Sequence, residues 1–411
     1  EPDHQKNSFS TESYWSIAGR IDVDLIRYLR QSTYKLESYS LSAVSQKFLK
    51  SDKLDLPNQV MFEYVLSKDP HKLAEVMRYC VQDAILPVQL WVKLRVLDPL
   101  IAMSRVTGVF ISDLVTRGQM FKIISLMFIM SRKLGFVLDS LPVPVTDNYK
   151  GAKVLDAESG VYESIGVLDF AALYPNIIKS NNLGYSSLVR SPKYEKVPGF
   201  EYKEFKTDLG VFRFQQTIKD ILPSTIDILL QLRQVAKTAM KQAKTDGNEE
   251  LVILYDNEQL AIKISCNSLY GFTGAAVSPY PCLEIASSTT SIGRATILTT
   301  KSLIEEQFEF VGARVVYGDT DSVMVATNLS DTVEVFQIYH QMAQYVTTHF
   351  RGDLVLEMEN VLSPMIILKK KHYVGLKFST PESKGTIYAK GVPLVRRDFC
   401  PFQRNVYAEA L

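Results

Sequence analysis

Two aspartates, Asp319 and Asp321, stand two residues apart in the stretch VVYGDTDSVM, between apolar runs that read as buried strands. In an extended or tightly turned backbone, residues i and i+2 project to the same side, so both carboxylates can face one cleft. Buried anions are costly unless they are paired or bind metal. Hard divalent cations such as Mg²⁺ take carboxylate oxygens and keep waters and substrate phosphates as further ligands. A Gly-Asp turn that merely closes a hairpin is the other reading of the same residues. A third acid, Asp169, ends the apolar run from Ile165 to Leu168. It reads either as an N-cap for the following turn or as a partner for the pair. Two metal ions about 3.5–4 Å apart, bridged by acids, suit in-line displacement at phosphorus.

Cations repeat at helical spacing. Arg233, Lys237, Lys241 and Lys244 fall on one side of a helix, and Lys263, Asn267 and Tyr270 recur at i, i+4 and i+7. A fixed row of cations suits a polyphosphate, although a solvated helix face carries the same pattern. In LKKKHYVG, lysines interleave with an aromatic ring. That arrangement fits contact with a nucleic-acid backbone or an edge strand guarded by lysine. Tyr79 and Asp83 are one helical turn apart, a pair unremarkable in any helix taken alone.

The elements that must position these groups follow from local pattern. SIGVLDFAALYPNII predicts a buried strand that delivers Asp169 and then turns, and a β-hairpin is predicted over 313–327. LPSTIDILLQLRQVAKTAMKQAK predicts a helix over 222–244 opened by Pro223 and Ser224, with Ser224-x-x-Asp227 resembling a capping box. EQLAIKISCNSLYGFTG predicts a second helix over 258–274 that Gly271 ends, and TDGNEE joins the two as an antiparallel hairpin. Helices are expected at 285–310 and 332–349, and strands in the tail VLEMENVLSPMIILKKKHYVGLKF. Upstream, residues 19–100 alternate helical patterns with short strands, and 100–137 continue as helix broken at TGVF. Turn formers in SLPVPVTDNYKGAKVLD place a boundary near 145.

The chain of 411 residues is long enough for two to four domains, and its 46% hydrophobic content supports sizeable cores. A net charge of +1 means that any basic surface must be local. Four scattered cysteines without a CxxC pair argue against a cysteine zinc site and a disulfide framework, and a reducing compartment is expected. No apolar run approaches the roughly 18 residues of a membrane span. The first residues resemble neither a signal nor a transit peptide, and both ends read as cut from something longer.

Read in order, DFAALYPNII, QLAIKISCNSLYGFTG, YGDTDS and KKKHY resemble the ordered motifs of family B DNA polymerases. YKLESYSLSAVSQKFL, MSRVTGVFISDLVTRGQ, PCLEIASSTTSIGR and KGVPLVRRDFCP extend the likeness to delta-type catalytic subunits and to polymerases of large eukaryotic DNA viruses. The resemblance covers essentially the whole chain. It implies a mixed α/β (α+β) fold: a palm with an antiparallel sheet and helical-hairpin fingers, preceded by the C-terminal part of an RNase H-like 3′–5′ exonuclease domain, with the thumb absent. The implied division is 1–100 partial exonuclease domain, 101–145 helical connector, 146–215 and 276–411 palm, and 216–275 fingers.

Carried over residue by residue, the resemblance makes Asp169 and Asp321 the metal-binding catalytic aspartates and Asp319 the accessory acid. The Phe170 carbonyl becomes a further metal ligand. The amides of Ala172, Leu173 and Tyr174 would meet the triphosphate, and Tyr174 would lie under the sugar as a gate against a 2′-hydroxyl. Arg233, Lys237 and Lys263 would grip phosphates. Asn267 and Tyr270 would line the nascent pair, with Gly271 admitting the duplex. Lys370, Lys371 and Tyr373 would track primer–template DNA. Two Mg²⁺ ions, replaceable by Mn²⁺, are the implied cofactors. DNA and dNTPs are the implied substrates, a sliding clamp and accessory subunits the implied partners, and the nucleus or a viral replication site the implied location.

Two positions depart from the family pattern: Asn176 closes the Ala-Leu-Tyr-Pro-Asn motif, and His372 precedes Tyr373 where delta-type enzymes carry arginine. Tyr79 and Asp83 match the third exonuclease motif. The first is not found before residue 79 and the second would lie upstream, so exonuclease activity is not expected of this chain. Two other classes compete with the polymerase. An inactive DNA-binding scaffold is opposed by the presence of Asp169, Asp319, Asp321 and Lys263, and an RNA-synthesising enzyme is opposed by Tyr174.

Overall fold

A computed structural model describes residues 19–31, 34, 36, 38–51, 54, 56–138, 149–275, 278–350, 352–396 and 398–410. The chain divides into two compact units. The first comprises the described residues up to Ser125 together with Ala239–Ala261, and the second those of Leu126–Thr238 and Ile262–Leu411.

The N-terminal part is helical. Its elements are α1 (Leu25–Gln31), α2 (Leu41–Leu49), α3 (Asn58–Ser67), α4 (Pro70–Lys93), α5 (Leu97–Thr107), α6 (Ile111–Thr116) and α7 (Gln119–Leu134). Ser40 and Asp69 cap α2 and α4 with their side chains, and Pro70 occupies the first position of α4. Leu29, Leu36, Val44 and Leu90 form a small buried cluster. The short strands expected between 19 and 100 do not occur among the described residues. Phe62, Val65 and Leu66 lie on α3 and are exposed. Pattern over a short apolar run cannot by itself separate strand from helix. TGVF does break the helices, with Gly108 in the left-handed region at φ 68°.

The C-terminal part of the chain is built on an antiparallel sheet. In chain order the elements are β1 (Gly160–Tyr162), β2 (Ile165–Phe170), α8 (Leu173–Ser180), β3 (Tyr202–Thr207), β4 (Gly210–Gln215), α9 (Ile221–Thr245), α10 (Glu249–Gly274), α11 (Leu283–Gln307), β5 (Arg314–Asp319), β6 (Ser322–Ala326), α12 (Thr332–His349), β7 (Leu356–Lys369), β8 (His372–Phe378), β9 (Thr386–Lys390) and α13 (Pro401–Ala410). The strand order is β5-β6-β2-β7-β8-β9, with β1 added to β7, and β3-β4 form a separate hairpin. One core cluster holds Ile165, Val167, Val316, Tyr317, Leu362 and Met365. α12 packs across β2 and β7. There Gly166 admits the Tyr339 ring: a Cβ at this position would lie 2.4 Å from it. The Tyr339 hydroxyl donates to the Val325 carbonyl at 2.8 Å, which fixes the helix over the sheet.

The hairpin at 313–327, the helix at 332–349 and the strands of the tail are present as expected. Three expectations need correction. α9 starts at Ile221, and the Asp220 carbonyl accepts the Ser224 N–H at 3.0 Å, so the first turn lies one step before the expected capping box. Asp227 instead pairs with Lys179 at 2.9 Å and Lys219 at 2.5 Å. α10 starts at Glu249 rather than 258, with Asn248 accepting the Leu251 N–H at 3.1 Å. It also runs through Gly271 to Gly274, because buried neighbours such as Leu269 and Phe272 hold the helix where propensity alone would end it. Lys370 and Lys371 lie at the β7–β8 turn, and neither strand is an edge of the sheet. The boundary near 145 lies outside the described residues.

Candidate active site

The β5–β6 turn is strained at its centre. Asp319 pairs with Ser322, leaving Thr320 and Asp321 as the loop. Thr320 has φ +64°, and the Asp321 N–H donates to the Asp319 carbonyl at 2.7 Å, closing a three-residue turn. Positive φ at a β-branched residue costs energy and persists only where surroundings impose it. Here the Thr320 N–H donates to the Lys153 carbonyl at 3.1 Å, and the Asp321 carbonyl accepts the Phe170 N–H at 2.9 Å. The second bond joins the turn directly to the end of β2. Asp169 lies there, opposite Ser322 on β6 and Glu357 on β7.

A cavity of about 590 Å³ opens at this point and gathers most of the expected residues. Asp169 and Asp321 form one wall with Thr320, Glu357 and Glu359. The start of α8, from Ala172 to Pro175, forms another. Arg233 and Lys237 of α9 and Lys263 and Asn267 of α10 complete it. Phe170 also lines it. Its ring is buried edge-on against Phe350 at 5.6 Å, so the backbone is what it offers. Ala172 precedes α8 in the left-handed region (φ 51°, ψ 54°), turning the chain sharply after β2. The first amides of a helix have no intrahelical acceptor, and the helix dipole adds positive character, so this end of α8 suits an anion. Asn176 is buried and donates to the Ala171 carbonyl at 2.8 Å. The departure from the family pattern therefore holds the turn and does not enter the cavity. Lys241 and Lys244 continue the row on α9 but belong to the other unit.

A second cavity of about 360 Å³ shares Asp169, Thr320, Asp321 and Glu359 and adds Asp319, Lys371, Tyr373 and Lys390. Asp319 thus faces only this side. The Lys371 ammonium sits 3.3 Å from it and the Tyr317 hydroxyl 3.4 Å. Lys371 is itself in the left-handed region at φ 62°, and its N–H donates to the Tyr317 hydroxyl at 3.1 Å. Lys370 lines neither cavity and pairs with exposed Asp156 at 2.7 Å. Tyr270 lies against Tyr174 with ring centroids 4.5 Å apart and planes tilted by 45°, and it shares a hydrogen bond with Tyr149 at 3.2 Å. Gly271 lies on the exposed side of α10. Tyr79 and Asp83 are on α4 in the first unit.

Sequence reading missed Glu357, Glu359, Lys390 and Tyr149. The acids had a signal: Glu-x-Glu at strand period ahead of an apolar run. Glu359 is the residue left over in a bulge, between the Val167–Asn360 and Leu168–Met358 pairs.

Electrostatics single out the acids. Burial pushes the Asp169 carboxyl up to about 7, helped by Asp321 and Glu359 and opposed by Lys263. Asp321 is also raised, by burial and then by Asp319 and Glu359, against its own backbone hydrogen bond and Lys390. Burial and the nearby Asp321 push the Tyr174 hydroxyl to about 12, so it stays neutral. Carboxylates crowded at one end of a sheet fit a hard divalent cation, whose charge would reverse these shifts. Among the described residues no three His, Cys, Asp or Glu side chains converge as a complete metal cage.

The cavity thus sets paired acids from an antiparallel sheet together with cations from two helices. The DNA polymerase family B model matches residues 109–411, and the chain belongs to that family. It is 39% identical over 405 residues to the DNA polymerase delta catalytic subunit of Arabidopsis thaliana, covering 96% of this chain and 36% of that protein. To the DNA polymerase of Paramecium bursaria Chlorella virus NY2A it is 35% identical over 426 residues, covering 100% of this chain and 46% of that protein. The delta subunit of Candida albicans is 37% identical, with 38% of its length covered. The chain thus spans less than half the length of these curated relatives.

Proposed function

We propose that this chain forms the catalytic core of a template-directed DNA polymerase that adds dNTPs to a primer 3′-hydroxyl. The observation that carries the reading is the single cavity in which Asp169 and Asp321 face Arg233, Lys237 and Lys263 across the start of α8. Residues 146–215 and 276–411 act as the palm and 216–275 as the fingers. Residues 101–145 are a connector, and 1–100 are part of an exonuclease domain retaining Tyr79 and Asp83.

Two Mg²⁺ ions, when bound, would activate the primer hydroxyl and neutralise charge on the phosphates. The chain's own groups bind and orient. Asp169, Asp321 and the Phe170 carbonyl hold the ions, with Asp319 as accessory acid. Arg233, Lys237 and Lys263 take the β- and γ-phosphates, and the amides of Ala172, Leu173 and Tyr174 take further phosphate oxygens. Tyr174 lies flat beneath the sugar and leaves no space for a 2′-hydroxyl. Asn267 and Tyr270 line the base pair, and Gly271 lets the duplex approach. Lys370, Lys371 and Tyr373 follow the DNA backbone. Positioning and electrostatics do most of the work in phosphoryl transfer. By analogy with the family, a sliding clamp, accessory subunits and a nuclear or viral replication site belong to the same proposal.

The test is single-nucleotide incorporation on a primer–template with Mg²⁺ or Mn²⁺, run beside Asp321→Asn. The variant should lose about 10²–10³-fold or more of the rate. An Asp321→Asn protein as active as the parent would refute the metal-site assignment.

A further inference from the structure

We infer that Gly293 on α11 is a specificity-determining residue: its missing side chain forms the seat of the Tyr174 ring. This rests on the reading of Tyr174 as the residue beneath the nucleotide's sugar. α8 and α11 pack together. A methyl group placed on Gly293 would lie 2.9 Å from Tyr174 Cε1, and 3.6 Å from both Tyr174 Cδ1 and Ile177 Cδ1. Carbon atoms pack at about 3.5–4.0 Å, so the first of these contacts requires something to move.

α11 is not free to retreat. Thr290 donates to the Lys150 carbonyl at 2.9 Å, and Arg294 donates to the Lys150 and Gly151 carbonyls at 2.5 and 2.9 Å. Ser291 donates to the Lys206 carbonyl at 2.8 Å. The helix is therefore tied on either side of Gly293 to two separate segments of chain. Tyr174 cannot slide freely either, because Tyr270 lies against it at 4.5 Å and is itself bonded to Tyr149. The ring thus has both the bare backbone of Gly293 and the Tyr270 ring as close neighbours. Its depth in the cavity is set by how closely α11 allows it to approach. A side chain at position 293 would push the ring outward, into the space that the sugar needs.

The experiment is steady-state incorporation of matched dNTP and rNTP by the whole protein that carries this chain. It compares wild type, Gly293→Ala, Tyr174→Ala and the double variant. Gly293→Ala should raise KM for dNTP about ten-fold while kcat changes less than about three-fold. In the Tyr174→Ala background the same substitution should change KM less than about two-fold, because the ring it displaces is gone. A merely structural role would lower the active fraction and leave KM and the dNTP:rNTP preference at wild-type values. That outcome, alongside a Tyr174→Ala variant with relaxed sugar selectivity, overturns the seat while sparing the gate. Unchanged sugar selectivity in Tyr174→Ala removes the gate reading and the inference with it. If Gly293→Ala alone fails to fold, a double variant that folds supports the seat. A double variant that also fails places the clash elsewhere and overturns it.

Discussion

Single residues at this site trade stability for chemistry. Asp169 keeps its proton to about pH 7 in the folded, metal-free protein, whereas an unfolded aspartate loses it near pH 4. Its folded value is raised, so between those limits the folded state holds more protons, and stability falls as pH rises from about 4 to 7. Asp169→Asn removes a charge that burial penalises first and that Asp321 and Glu359 also repel. In EDTA at pH 7.5 it should therefore melt about 2–4 °C above wild type, with a flatter stability profile across that pH range. Mg²⁺ should raise the wild-type melting temperature more than the variant's. A variant that melts lower than wild type in EDTA would contradict the repulsion argument. Thr320 and Ala172 show the same trade in the backbone, each held at positive φ beside an acid or an anion-seeking helix end.

At the scale of elements, β2 matters most, because it carries Asp169 between β6 and β7 and turns directly into α8. Its alignment depends on α12, whose Tyr339 ring rests on Gly166. Gly166→Ala drives a methyl into that ring and should cost about 1–3 kcal/mol, measured by denaturant unfolding. Incorporation should fall with it, since β2 and the β5–β6 turn share the Phe170–Asp321 hydrogen bond. Unfolding unchanged in this variant would mean that the packing of α12 is looser than described. Helix and hairpin positions in this part of the chain were legible because 3.6- and 2-residue periods are imposed by burial on one side. The start of α9 and the length of α10 were not, because tertiary neighbours settle them.

For the whole molecule, a net charge of +1 leaves no general attraction for DNA. On the proposed reading, affinity for DNA would come from local cations such as Lys371 and Lys390 beside the second cavity. Lys371→Ala should weaken primer–template binding across all sequences and lower the slope of log K against log salt by about one. An unchanged slope would take Lys371 off the DNA path. The mutation also strips Asp319 of its cation, so incorporation should fall further than binding.

The sequence alone pointed to the family, to the acids Asp169, Asp319 and Asp321, and to the cations Arg233, Lys237 and Lys263 that line the first cavity, because ordered motifs and helical spacing are local properties of the chain. It could not say that Asp321 borders both cavities while Asp319 borders one, since that depends on the sign of φ at Thr320. Nor could it find Glu357, Lys390, Tyr149 or the seat at Gly293. Each acquires its meaning from a partner far along the chain, and only packing brings such partners within reach.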